Sequence, residues 1–124
     1  MKYLKTFESD EDTNYGYKSM NSYGDIIIDL IKFNNYYRLL YDQDKINMLK
    51  KMLVGKIVGF RGRHGMNFFN DKKVIKDIDL VGGYAGHPSF TYQFQSDDNK
   101  KYTIDNDYPI TIYITETEAN KYNL

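Results

Sequence analysis

The sequence contains no cysteine and no tryptophan, and only two of its 124 residues are proline. Without cysteine the chain can form no disulfide, no thiolate nucleophile and no thiolate metal site, which fits a reducing, intracellular setting. Long apolar runs are also missing. Ile26–Ile28 is among the longest, far below membrane-spanning length, and the first eight residues lack the apolar run of a secretory signal. These absences predict a soluble, cytoplasmic protein that makes no membrane contact.

An excess of one charge sign is absent as well, because 17 basic and 17 acidic side chains cancel. No overall field therefore draws the molecule to nucleic acid or to an anionic membrane. The local distribution is uneven, since basic residues cluster between Arg61 and Lys76 and six acidic residues follow between Asp97 and Glu118. If the two groups occupy separate faces, the molecule is dipolar.

The N-terminal half is predicted to be a tail followed by helices. Residues 1–21 are polar and acidic with few apolar groups to bury, which predicts a flexible tail that contributes little to stability. Residues 22–53 are predicted to be a helical segment, because Ser22 and Asp25 have the spacing of a capping box. One apolar stripe then runs along this helix at alternating spacings of four and three residues: Ile26, Leu30, Phe33, Tyr37 and Leu40.

Asn34 and Asn35 weaken the middle of this helix, which predicts that it stops or bends there. A second helix would then follow, capped by Asp42 or Asp44, with Gly55 as its stop. Its apolar face consists of Ile46, Leu49 and Leu53.

Residues 54–115 have the pattern of five short strands separated by turns. Two runs alternate between faces, and their apolar members are Phe90, Tyr92 and Phe94, then Ile110, Ile112 and Ile114. Val74 and Ile75 break the alternation and predict a β-bulge. The pattern indicates an α+β fold in which the helical segment packs on a small, closed or nearly closed antiparallel β-barrel. Residues 116–124 are predicted to be a loose polar tail.

A basic, glycine-rich loop after the first of these strands is the best candidate binding site. Arg61 and Arg63 are two residues apart, so both side chains point the same way from an extended backbone. Gly59, Gly62 and Gly65 would let the main chain approach a bound anion. The group is completed by His64, Phe68, Phe69, Lys72 and Lys73. Guanidinium groups suit phosphate oxygens and aromatic rings stack on bases, which predicts a nucleotide, a nucleic-acid backbone or an acidic protein as ligand.

The alternative interpretation of this loop is a solvated segment whose phenylalanines pack into the barrel. Its glycine spacing matches neither the dinucleotide fingerprint nor the phosphate-binding loop.

Other arrangements of polar residues point away from catalysis. Residues 97–99 and 105–107 place oxygen ligands two residues apart, but such triplets also form ordinary turns and lack the full calcium-loop pattern. His64 and His87 would form an acid/base pair only if their loops converged, and exposed loop histidines are the favoured interpretation. No nucleophilic serine motif is present. We therefore expect a protein that is not an enzyme and that uses no metal and no cofactor.

A tyrosine-rich surface of the helical segment offers a second candidate site, formed by Tyr36, Tyr37 and Tyr41. The apolar stripe beside these residues is expected to cap one end of the barrel. The alternative is an interface with a partner or with further copies of the chain, because tyrosine provides a large amphipathic contact area.

Three stretches resemble proteins of large tailed bacteriophages. The opening MKYLKTFE resembles the first residues of many short proteins of such phages, including crAss-like phages. The stretches LVGKIVGF and KKYTIDNDYPITIY are similar to SH3-like barrel proteins of these genomes. The resemblance implies an SH3-like barrel and an accessory or virion protein of a phage, and it carries over no functional residue.

The function expected from the residues and the resemblance together is binding. The leading hypothesis is a small non-enzymatic phage protein of the anti-defence or host-takeover type, which sequesters or inhibits a host protein or a nucleotide-like anionic ligand in the host cytoplasm. The alternative is a structural or packaged protein of the virion, whose partners are virion components.

Overall fold

The computed structural model describes residues 16–64, 66–84 and 87–122 of the chain. Within them lie seven strands: β1 (Lys18–Met20), β2 (Ile26–Ile28), β3 (Ile57–His64), β4 (Asn67–Tyr84), β5 (His87–Ser96), β6 (Lys101–Ile104) and β7 (Ile110–Ile112). Three helices accompany them: α1 (Leu30–Tyr36), α2 (Asp42–Leu53) and α3 (Ile114–Tyr122). None of these described helices is long and apolar enough to cross a membrane.

The strands form one antiparallel sheet in the order β1-β2-β7-β3-β4-β5-β6. β3 also pairs with β6, so the pairings run from β3 through β4, β5 and β6 and return to β3 as a partial ring of strands. The predicted α+β class and the antiparallel pairing are confirmed.

The long strand β4 lets the sheet bend back on itself. Its first part pairs with β3 up to Val74, and its second part pairs with β5 from Ile75 onward. The register shifts between Ile75 and Asp77, where one extra residue enters β4. Such a bulge bends a strand and increases its twist. The predicted irregularity near Val74 and Ile75 is therefore confirmed.

The core fills the space between the sheet and the helices. Its members from the sheet include Tyr92 and Phe94 of β5 and Ile110 and Ile112 of β7, all buried as the alternation predicts. The side chain of Phe90 lies outside the described residues. Ile114 is only partly buried and belongs to α3 rather than to the last strand.

The helix predicted to start at Ser22 begins eight residues later, at Leu30. Residues 18–28 form a hairpin instead, in which the Asn21 side chain accepts hydrogen bonds from the backbone N–H groups of residues 23 and 25. Gly24 has a φ of 85°, which suits a tight turn. The consecutive isoleucines of β2 pair with β7, and β-branched side chains favour that extended state. Asp29, rather than Ser22, caps α1 by accepting from the Lys32 N–H.

The second predicted helix is confirmed as α2, but its predicted cap is wrong, because the N-cap position is Tyr41 and Asp42 and Asp44 lie in the first turn. Its apolar face is buried through Ile46, Leu49 and Leu53, and Gly55 follows its end. The break that separates it from α1 lies just after Tyr36, two residues beyond the Asn34-Asn35 pair.

The predicted tail of residues 1–21 lies only partly within the structure, since residues 1–15 are outside the described residues. The described part is not a tail. Tyr17 is buried in the core, and the backbone N–H of Asp29 donates to its carbonyl oxygen at 2.8 Å. β1 then adds an edge strand to the sheet.

The predicted loose tail after residue 115 is helical as far as residue 122. The hydroxyl of buried Thr117 anchors α3, because it accepts from the Ile57 N–H at 3.0 Å and donates to the Tyr113 carbonyl at 2.7 Å. A hydrogen bond to a residue 60 positions away cannot be inferred from local sequence. The division of the chain at residues 21, 53 and 115 stays a prediction.

Candidate functional site

The predicted basic loop is a β-hairpin rather than a loop. β3 continues to His64 and β4 starts at Asn67, with Arg63 opposite Phe68 and Arg61 opposite Asn70. The two arginines share one face of β3, as their spacing predicts, while Phe60 and Gly62 face the core. Because β3 pairs with β4 along this hairpin, the backbone that carries the two arginines is rigid rather than mobile.

The glycines of this hairpin do not open the main chain to an anion. A Cβ atom on Gly59 would lie 2.9 Å from the ring of Tyr113, so that ring already covers the backbone. A Cβ atom on Gly62 would lie 3.1 Å from Phe60 and 3.2 Å from Tyr102. These two glycines make room for aromatic packing, which corrects the prediction of an anion cradle. Gly65 lies outside the described residues.

Arg61 holds a neighbouring turn. Its Nε lies 3.6 Å from Oδ2 of Asp105, and its carbonyl accepts from the Asp105 N–H at 2.9 Å. The guanidinium carbon lies 4.9 Å from the ring centroid of Tyr108 and 5.6 Å from that of Phe68. Arg61 is thus stacked between two rings and paired with a carboxylate. It fixes the turn of residues 105–109, which we call the Asp105 turn.

Arg63 differs from Arg61 in its surroundings. Its exposed guanidinium lies 5.8 Å from the centroid of the Phe68 ring. Within the described part of the chain, it has no carboxylate partner at ion-pair distance. It lines a cleft of about 450 Å³, which we call the Arg63 cleft, together with Phe68, Thr91, Thr103, Ile104, Asp105, Asn106 and Asp107.

The two phenylalanines of the predicted site have separate roles. Phe68 is 52% exposed and presents a flat ring beside Arg63. Phe69 packs against the core, with its ring centroid 5.7 Å from that of Tyr102. The interpretation that a phenylalanine packs inward therefore holds for Phe69, whereas Phe68 presents a ring on which a base could stack.

The two lysines of the predicted site are already paired. Lys72 lies 2.6 Å from Glu116 and 4.1 Å from the centroid of the Tyr113 ring. Lys73 lies 3.3 Å from Asp98. Hydrogen bonds to Glu116 and to Asp98 raise the pKa values of Lys72 and Lys73, respectively. The basic and acidic groups therefore do not occupy separate faces, because the C-terminal carboxylates lie against the basic side chains.

The two aspartate-rich triplets form turns. The Asp98 carboxylate accepts from the Lys100 N–H, and that of Asp105 accepts from the Asp107 N–H, both typical Asx-turn contacts. Among the described residues, no group of three or more His, Cys, Asp or Glu side chains is placed to hold a metal ion.

Asp98 is predicted to make stability depend on pH. The Ser96 hydroxyl, the Lys100 N–H and the Lys73 ammonium lower its pKa to about 2, from an ordinary value of 3.8. A carboxyl group whose pKa is lowered in the folded state stabilises the protein at pH values above its ordinary pKa. This contribution is lost as the pH falls through about 2. In thermal melts, the melting midpoint of the native protein should exceed that of Asp98→Asn at pH 4, and this difference should shrink as the pH falls to 2.

The control for this prediction is Asp97→Asn, at the neighbouring position of the same turn. An equal pH dependence in the two variants would contradict the assignment to Asp98.

The tyrosines of the second candidate site differ in exposure, although the rings of Tyr36 and Tyr37 are in contact at a centroid distance of 4.7 Å. Tyr37 is partly buried, and its hydroxyl lies 3.1 Å from that of Tyr17. Tyr36 and Tyr41 remain exposed, at the end of α1 and just before α2. Leu39 between them is also exposed. The patch that remains is therefore the connection between two helices rather than a helix face.

The two histidines are described by their backbone alone, and the predicted role of His64 stays a prediction. The backbone of His64 ends β3 and that of His87 begins β5, while both side chains lie outside the described residues.

Six residues of the Arg63 cleft were not predicted as part of the binding site: Thr91, Thr103, Ile104, Asp105, Asn106 and Asp107. The turn signal at residues 105–107 was visible in the sequence, but its position beside β3 depends on the pairing of β3 with β6. In the described structure, the buried Oδ1 atom of Asn106 has no hydrogen-bond donor.

No protein-family model, no curated protein and no solved structure matches the chain.

Proposed function

We propose that the chain is a non-enzymatic binding protein whose ligand is a nucleotide-like anion held in the Arg63 cleft. One observation carries this proposal. The exposed Arg63 guanidinium has no carboxylate partner in the described structure and stands beside the half-exposed ring of Phe68 at the mouth of this cleft. A cation next to an aromatic ring suits a ligand that combines a phosphate with a base.

The remaining walls complement the rest of a nucleotide. The hydroxyls of Thr91 and Thr103 can donate and accept hydrogen bonds, whereas the Asp107 carboxylate only accepts. Amino groups of a base and hydroxyls of a ribose are donors that such a carboxylate can bind. A phosphate at Arg63 and a base on Phe68 would leave these donors to Asp107 and Asn106.

The structural and biological parts of the proposal have separate support. The return of the strand pairings from β6 to β3 supports an SH3-like barrel, in which the Arg63 cleft lies at the ends of β3 and β6. The resemblance to phage proteins supports a role in sequestering or inhibiting a host component. The sequence motifs support the non-enzymatic part, since no nucleophile or metal-binding motif was found in them.

Replacing Arg63 by alanine is expected to weaken nucleotide binding at least about tenfold, because a hydrogen bond to a charged group contributes roughly 1.5–3 kcal/mol. Isothermal titration calorimetry with 5′-mononucleotides of the four common bases, at pH 7 and low salt, measures the affinity. Affinity should also fall with added salt, since the contact is exposed.

The matched control is Arg38→Ala, which removes the same charge from an exposed position outside the cleft. It should leave the affinity within about twofold, as expected for a surface charge without ligand contact. Equal losses in the two variants would mean a general charge effect and would overturn the proposed site. The alternative role in a virion is tested by mass spectrometry of purified particles.

A further inference from the structure

A second cleft lies on the other side of the Asp105 turn. It measures about 240 Å³, and Asn106 and Asp107 line both this cleft and the Arg63 cleft. Its walls also include Lys32 of α1 and Tyr108 and Pro109 of the turn. We call it the Lys32 cleft. The two clefts are therefore neighbours, separated by the two residues that they share.

Each cleft has one cation that no described carboxylate neutralises. Lys32 is exposed, and within the described residues its ammonium has no ion-pair partner. The carboxylate of Asp29, which also lines the Lys32 cleft, accepts from the backbone N–H of Lys32 as the cap of α1. Lys32 is thus an exposed cation without a described carboxylate partner, as Arg63 is, and it lies on the far side of the turn.

Each cleft also has a half-exposed aromatic ring. Phe68 is 52% exposed beside Arg63, and Tyr108 is 49% exposed beside the Lys32 cleft. Arg61 lies between them, 5.6 Å from the first centroid and 4.9 Å from the second. The surface therefore carries two flat rings with a guanidinium group between them. Rings and cations in such a row form the surface that single-stranded nucleic acids use for stacking and for phosphate contacts.

We propose that the ligand is a single-stranded oligonucleotide of at least two nucleotides that crosses the Asp105 turn. Arg63 and Lys32 hold successive phosphates, Phe68 and Tyr108 stack the bases, and Asp107 accepts hydrogen bonds from donors of the base or sugar between them. This inference rests on the proposed function and extends it, because a mononucleotide would fill only the Arg63 cleft.

The experiment compares mono-, di- and tetranucleotides of 5′-phosphorylated deoxyadenylate, titrated calorimetrically against the full chain. The dinucleotide should bind about tenfold more tightly than the mononucleotide, or better, because stacking of one further base typically contributes this much. Lys32→Ala should remove most of that gain while changing mononucleotide affinity less than about twofold, since it acts only on the second phosphate. Tyr108→Leu, which retains bulk without a flat ring, should also reduce the gain.

Lys51→Ala is the matched control, because Lys51 is an exposed helical lysine that lines neither cleft. This variant should still bind the dinucleotide about tenfold more tightly than the mononucleotide, as the native protein is expected to do. Circular dichroism of each variant establishes that it is folded before its affinity is compared.

The outcomes separate the two proposals. If no oligonucleotide and no mononucleotide binds, the proposed function is wrong and this inference fails with it. If mononucleotides bind through Arg63 but the dinucleotide gains nothing, or keeps its gain in Lys32→Ala, only this inference is overturned. Tighter binding of a hexaglutamate peptide than of the tetranucleotide would also overturn it and would favour an acidic protein partner.

Discussion

Replacing Phe94 by alanine is expected to lower the free energy of unfolding by about 3–5 kcal/mol, the usual cost of truncating a buried aromatic side chain. Phe94 is completely buried, and its ring meets that of Phe60 edge to face at a centroid distance of 5.6 Å. Alanine removes these contacts and leaves a cavity between β3 and β5. Equilibrium unfolding in urea measures the change.

Phe68→Ala is the matched control, because it deletes the same atoms from a ring that is 52% exposed. We expect it to lower the free energy of unfolding by less than about 1 kcal/mol, as is usual for surface positions. Its effect should appear in nucleotide affinity instead. Similar destabilisation by both variants would contradict the assignment of Phe94 to the core and of Phe68 to the surface.

Tyr17→Ala is expected to cost about 3 kcal/mol or more in the free energy of unfolding, comparable to other buried aromatic truncations. Tyr17 is 3% exposed, and its ring contacts those of Phe33 and Tyr37 at centroid distances of 5.4 and 5.7 Å. Its loss would detach β1 and one side of α1 from the core. Urea unfolding, monitored by circular dichroism, measures the change.

Tyr23→Ala is the control for Tyr17, because Tyr23 is 82% exposed in the turn after β1. It should change stability by less than about 0.5 kcal/mol. A small effect of Tyr17→Ala would contradict the assignment of Tyr17 to the core and would mean that residues 16–21 are dispensable, as the sequence predicts.

Local patterns predicted the parts of the fold that depend on which face of an element is buried. Alternation identified Tyr92 and Phe94 as inward-facing, and a period of three to four identified the buried face of α2. These patterns are sufficient because the period of a strand or helix fixes which side chains point the same way.

Local patterns failed where two elements compete for the same residues. Ile26 suits an amphipathic helix by its spacing from Leu30, yet Ile26–Ile28 becomes a strand because it pairs with β7 on one side and β1 on the other. The polar residues after Thr115 become α3 because Thr117 bonds to the backbone of β3. In both places a tertiary contact outweighs a weak local preference.

The same distinction between local pattern and tertiary contact applies to the candidate site. The sequence by itself determined that Arg61 and Arg63 share one face of a strand, because side chains two residues apart on an extended backbone must do so. Only the tertiary structure decided which of the basic residues are neutralised. Pairing of β3 with β6 brings Asp105 to Arg61, the β5–β6 turn brings Asp98 to Lys73, and α3 brings Glu116 to Lys72. Arg63 is left without a carboxylate in the described structure, since charge neutralisation acts through distances in space that sequence spacing does not encode.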